Sequence, residues 1–441
     1  MRDGLVVSES TVREAVGEQS IPPLGVIEQV WETDPISPEH VADAAAAEVE
    51  RLDLSAIPAG GSVAVGAGSR GIANLPEIVR GVVAGLTRDG YDPFVFPAMG
   101  SHGGATAEGQ REKLATLGVT EASVGCEIRA TMDVVTVGET PERGVPVYAD
   151  AHAADADAIV PINRVKPHTD FSGDIESGLS KMLVIGMGKQ RGAKMAHDWA
   201  VDWSLRNMIP EITERLLSEL PVAGGVAIVE DEHDETTLIE GVLPENFLKQ
   251  EEELLELAWE RMPKLPFSEL DVLVVDRLGK DVSGQGMDTN VTGRRHFTIN
   301  EPEPETAEVK RIYTRGFTEK TKGNAMGMGQ ADVVHGDVLS GLDWSKSLIN
   351  AITASTVRGV RLPPVVENDR AGLLATLGTI GPVAESESRI LRVTDTMRLG
   401  RCYASAPLVE AARDRDDLRV VAEPDDTAFD DDGNFVAPSP G

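Results

Sequence analysis

Short β-branched runs and helical stretches take turns from residue 62 to residue 231. "SVAVGAG" (62–68) has the composition of a strand, and "LPEIVRGVVAGLTRDG" (75–90) that of a helix closed by Gly90. "PFVFPAMG" (93–100) is a second strand, and "TAEGQREKLATLG" (106–118) a second helix with Thr106 as its N-cap. "DAIVPIN" (157–163) and "GVAIVED" (225–231) continue the series. Strand–loop–helix alternation of this kind predicts an α/β layer with a largely parallel sheet. Ligands of such sheets gather at the loops that leave the carboxyl ends of the strands. Those loops are "GSRG" (68–71), "GSHGG" (100–104) and "NRVKPHTDF" (163–171), so Arg70, His102 and His168 are expected along one edge. Glycines at two of the loops permit close approach.

The amphipathic run "NFLKQEEELLELAWERMP" (246–263) closes this region, and "ELDVLVVDRLGK" (269–280) opens a second α/β pattern. The expected organisation is two α/β domains with a cleft between them, over residues 1–267 and 268–441. The N-terminal domain would bind cofactor and carry catalysis, the C-terminal one would close over substrate, and the acidic tail from about 423 is expected to be loose. "VSGQGMDTNVTGRRHF" (282–297) has the composition of a functional loop but matches neither a P-loop nor a dinucleotide fingerprint.

The formal charge of −32 is spread along the chain, which argues against nucleic-acid binding and fits a solubilising surface such as a salt-rich cytoplasm selects. The N-terminus lacks the pattern of a secretion signal, and no apolar run is long enough to span a bilayer. Cys126 and Cys402 stand far apart, against a disulfide framework or a thiolate zinc site. These features predict a reduced, cytoplasmic protein. His233, in the run "DEHDE", belongs to a solvated acidic loop.

Within "VKPHTDFSGDIESGLSKMLVIGMGK" (165–189), a helix wound from Ile175 puts Ile175, Leu179, Met182, Leu183 and Gly186 on one side. Lys181 falls on the other side, beside Ser177, Val184 and Ile185, with no acid four residues before or after it. A snorkelling side chain and a chemically used one both fit that setting. An unbroken helix would hold Lys181 and His197 roughly 24 Å apart. They can share a site only if the helix ends between them, and Gly186, Gly188 and Gly192 supply the means.

"SR" (69–70), "SHGGATAEGQREKL" (101–114), "KPH" (166–168), "FSG" (171–173), Lys181 and His197 together resemble the nickel-pincer lactate racemase family, in order and in approximate spacing. The resemblance covers most of residues 60–200 and is only architectural beyond them. It implies that Lys181 is the covalent anchor of a nickel-pincer nucleotide, a pyridinium mononucleotide that carries nickel. It implies further that His197 ligates the metal, that His102 and His168 are the paired acid/base residues, and that Arg70 grips a substrate carboxylate. Glycines in "SHGG" and around 186–192 would then let the nucleotide phosphate approach the backbone. The implied activity is racemisation or epimerisation of a 2-hydroxy acid, with cofactor-synthesis enzymes as partners.

Two departures point to an altered substrate pocket. Ala67 stands where the family has an acidic residue, and the family's tyrosine–glutamine–lysine group is replaced by "TNVTGRRH" (289–296). Arg294, Lys280 and Asn290 are the candidate replacements. Two other classes share these residues: a redox enzyme or lyase acting on a carboxylate, and a non-enzymatic protein that binds the nickel nucleotide. A carrier has no use for bases on both sides of a substrate.

Overall fold

In the computed structural model, which describes residues 4–68, 71–295 and 301–441, the chain forms two α/β units. One is Thr33–Met262; the other joins Met1–Glu32 to Pro263–Gly441.

In the unit Thr33–Met262 a five-stranded sheet runs in the order Asp92–Pro97, Ser62–Ala67, Ala158–Arg164, Gly225–Glu230, Thr236–Val242. The first four strands are parallel and the last is antiparallel to its neighbour. Burial on both faces explains the unbroken apolar runs in the sequence. Val63, Val65, Val95 and Val160 face one layer, where Ile78, Val79, Val82 and Leu86 of helix Leu75–Arg88 cover them. Ala64, Phe94, Phe96 and Ile159 face the other. There they meet residues of the helices Leu205–Glu219 and Phe247–Arg261 and of the segment around Leu179–Leu183. Helix Ala107–Thr116 starts as expected, with the Thr106 hydroxyl accepting the Gly109 N–H at 3.1 Å.

The other unit holds a nine-stranded sheet with Glu269–Val275 at its centre, parallel to Glu308–Thr314 on one side and to Ile390–Val393 on the other. Val333–His335, Val365–Val366 and Val6–Val7 extend the parallel part. Arg401–Ser405, Leu24–Gln29 and Leu418–Asp425 extend it on the other side as antiparallel strands.

Two expectations give way here. Residues 1–32 fall in the second unit, because Leu24–Gln29 is a strand between Arg401–Ser405 and Leu418–Asp425 and buries Ile27 completely. The tail is also packed. Phe435 is 9% exposed, its ring centroid lies 4.2 Å from the Arg392 guanidinium, and its N–H donates to Asp369 at 2.9 Å. Ser439 donates to Asp276 at 2.6 Å, and Arg392, buried and bidentate on Asp276, also donates to the Ala437 carbonyl. The buried Arg392–Asp276 pair has hydrogen-bonding capacity left over, and the tail fills it. Among the described residues no helix is long and apolar enough to cross a membrane.

Candidate functional site

Ser62–Ala67, Asp92–Pro97 and Ala158–Arg164 are adjacent and parallel, so the three glycine- and histidine-bearing loops leave the same edge of the sheet. Arg70 lies outside the described residues. His102 is exposed on its loop, and its N–H donates to the Met99 carbonyl at 3.1 Å.

The loop carrying His168 is built around a buried acid. Glu176 is 2% exposed, and its carboxylate accepts the backbone N–H groups of His168 and, at 3.2 Å, Gly173. The imidazole stacks on Phe171 with centroids 4.5 Å apart, and its Nδ1 accepts the Asp170 N–H at 3.0 Å. An acceptor at Nδ1 puts the proton of the neutral ring on Nε2, which can donate to a ligand oxygen.

Lys181 stands on a short helix, Leu179–Lys181, that runs into a π-turn, Met182–Gly186. The helix starts at Leu179 rather than Ile175, because Ser177 is held in an extended bridge with Lys166. The face expected to be buried is buried: Leu179, Met182 and Leu183 are at most 4% exposed. Lys181 keeps partial solvent contact, and its amine donates to the Ser177 hydroxyl at 3.3 Å. Burial pushes its pKa down to about 8, against the attraction of Asp170 and with help from the positive charge of Lys166.

The helix does end between Lys181 and His197. After the π-turn, Gly188 and a left-handed Lys189 (φ 54°) start a new helix, Lys189–Trp203, which carries His197. The Lys181 charge consequently acts on His197, and the Asp170 charge acts on both. Burial is the largest cause that lowers the His197 pKa, with the Lys181 charge adding to it, so the neutral imidazole is favoured.

Asp170 thus relates to all three residues: its N–H donates to His168, and its charge acts on Lys181 and His197. The His102 loop is tied to them through backbone: the Gly100 N–H donates to the Gly186 carbonyl at 2.9 Å. The glycines at 186, 188 and 192 are spent on this packing rather than on an open cradle. A Cβ at Gly186 would stand 2.5 Å from the Ala98 carbonyl oxygen, and one at Gly188 2.6 Å from that of Val184. Gly104, with φ 66° and nothing within 4 Å of an added Cβ, leaves room for a ligand beside its backbone.

Three braces escaped the sequence reading. Besides Glu176, Lys189 is fully buried, 2.8 Å from the equally buried Asp150 and donating to Gln110 Oε1 at 3.1 Å and to the Pro97 carbonyl. Gln110 in turn donates to the Gly100 carbonyl at 2.8 Å. This hub joins the His102 loop to the start of the His197 helix. Glu251 braces the Lys181 helix. Its sequence signal was spacing: Glu251 shares a helix face with Leu254, Leu255 and Ala258.

Arg294, in the other unit, is a strut. One nitrogen donates to the Gln330 carbonyl and to Asp332, at 3.0 and 2.6 Å, and the other to the Val309 and Lys310 carbonyls. Its fork is occupied by protein, which corrects its candidacy for substrate. Asn290 is buried and accepts from Arg295 at 2.9 Å, and the Lys280 amine donates to the Gly284 carbonyl. Among the described residues no three His, Cys, Asp or Glu side chains gather as a metal site.

No protein-family model matches this chain, and no curated protein matches it. Among solved structures it is similar to the lactate racemase apoprotein from Thermoanaerobacterium thermosaccharolyticum, at 13% identity, over 85% of this chain and 89% of that one, with a TM-score of 0.45. At that identity the likeness concerns the fold alone.

Proposed function

We propose that this protein is a racemase or epimerase of a 2-hydroxy acid, working with a nickel-pincer nucleotide anchored on Lys181. The observation that carries the reading is the broken helix. It brings a lysine with a pKa of about 8 and an imidazole whose pKa burial lowers into one charged neighbourhood. The donor set fits the group. An amine that is partly neutral near pH 7 is suited to acylation, and a neutral imidazole is a suitable nickel ligand.

Lys181 would hold the nucleotide covalently and His197 would hold its metal. When bound, the group would supply an acceptor and donor of hydride for the substrate's α-carbon. The chain's own residues would handle protons and position. His168 would exchange a proton with the substrate hydroxyl through Nε2, held in place by Phe171 and the Asp170 N–H. His102 would serve the opposite enantiomer. Arg70 has the planar fork that a carboxylate requires. Loading would depend on enzymes that make the nucleotide.

The test is to offer single enantiomers of a panel of 2-hydroxy acids to protein from cells that make the cofactor, and to follow them by chiral chromatography. The opposite enantiomer should accumulate, and Lys181→Ala should abolish it. Accumulation of keto acid instead would point to a redox enzyme.

A further inference from the structure

The helix that presents Lys181 has no cap of its own. Its N-cap residue is Gly178, which has no side chain to offer the orphan N–H groups of the first turn. The Ser180 N–H finds its acceptor on a distant helix. Glu251, on Phe247–Arg261, accepts that N–H at 2.9 Å and the Ser180 hydroxyl as well. The side chain comes from 71 residues downstream and is 1% exposed. Its helix is anchored by Phe247, Leu254, Leu255 and Ala258, all buried on the same face.

The fit is close on the other side as well. A Cβ at Gly178 would stand 1.9 Å from a Glu251 oxygen, so only glycine lets the carboxyl group approach. With φ at 174° Gly178 is in extended backbone, so close approach rather than conformation is what calls for glycine there. Asn163 clamps the same point from the sheet, donating to the Gly178 carbonyl at 2.7 Å. Lys181 is the next residue after Ser180, so its amine leaves the helix one step beyond the cap.

We propose that Glu251 is the positioning residue of Lys181: its carboxyl group is the cap, supplied from another helix, that fixes the turn on which the amine is presented. This rests on the reading of Lys181 as the anchor for its functional meaning, whereas the cap itself is a matter of the contacts above. Without it the first turn frays and the amine gains water.

The experiment is trace acylation of the full chain with acetic anhydride from pH 6.5 to 10.5, with Lys181 labelling read by peptide mass spectrometry. Wild type should be half-titrated near pH 8. Glu251→Gln, which keeps shape and acceptor, should match it. Glu251→Ala and Gly178→Ala should move the midpoint upward, so that labelling at pH 7.5 falls by about tenfold. Gly178→Ala decides the matter if Glu251→Ala does not fold, because it displaces the carboxyl group without removing it. An unchanged midpoint in the folded variants would overturn the proposal. A chain that never carries a nickel nucleotide would still give a clear answer, so the two readings fail separately.

Discussion

Replacing Lys189 by methionine keeps the volume of the side chain and deletes its charge. Lys189 and Asp150 are both fully buried and 2.8 Å apart, so their attraction is little screened by solvent. The substitution leaves a carboxylate without its cation, and breaking a buried pair in this way costs about 3–5 kcal/mol. Asp150 Oδ1 keeps two backbone donors, His152 N–H at 2.8 Å and Ala153 N–H at 3.0 Å, which places the expected loss near the lower end, about 3 kcal/mol. Asp150→Asn should cost a similar amount by leaving the ammonium to Gln110, the Pro97 carbonyl and the face of the Phe96 ring, with no counter-charge. Neither charge is stranded in the double variant, so its loss should fall short of the sum by about 2 kcal/mol. Urea unfolding followed by tryptophan fluorescence is suited to this, because Trp199 and Trp203 lie on the helix that Lys189 opens. A loss below about 1 kcal/mol in Lys189→Met, or strict additivity in the double variant, would refute the reasoning.

Burial pushes the Glu251 carboxyl up to about 7 from an ordinary 4.5. Its contribution to stability is full below pH 4.5 and is lost as pH rises to 7, because the unfolded chain ionises first. The ceiling on that loss is roughly 3 kcal/mol. Unfolding midpoints measured from pH 4.5 to 7.5 should fall in wild type relative to Glu251→Gln, and parallel curves would contradict the account. Phe435→Ala should cost about 3 kcal/mol in the unit that holds the tail, since the ring is 9% exposed and covers Arg392 at 4.2 Å and Arg315 at 5.2 Å. Denaturant titration checks it, and a change within about 0.5 kcal/mol would mean that the tail is mere surface.

What could be read from the chain depended on the range of the interaction. The parallel strands announced themselves through local composition, and Lys181 through the absence of a partner one turn away. The glycines at 186 and 188 foretold a helix break, although their local use is close packing rather than a phosphate cradle. Lys189 sits in the same run but was passed over, because Asp150 lies in a separate strand and no helical spacing links the two. Glu251 was hidden in "EEELLEL", where it passes for one more surface acid until its spacing with Leu254, Leu255 and Ala258 is counted. Strand Leu24–Gln29 was missed because its partners, Arg401–Ser405 and Leu418–Asp425, stand at the far end of the chain, and hairpin-scale rules say nothing about such pairing. The tail held a signal in Phe429 and Phe435, two aromatics in an acidic segment of a chain with only 4% aromatic residues. Their rings stack 5.3 Å apart.

The central claim is that Lys181 carries a nickel nucleotide, and the most direct measurement is peptide mass spectrometry with nickel analysis on protein from its native host. The account predicts a nucleotide-sized adduct on the peptide containing Lys181, together with nearly stoichiometric nickel. An unmodified Lys181 in protein from cells that make the cofactor would contradict it.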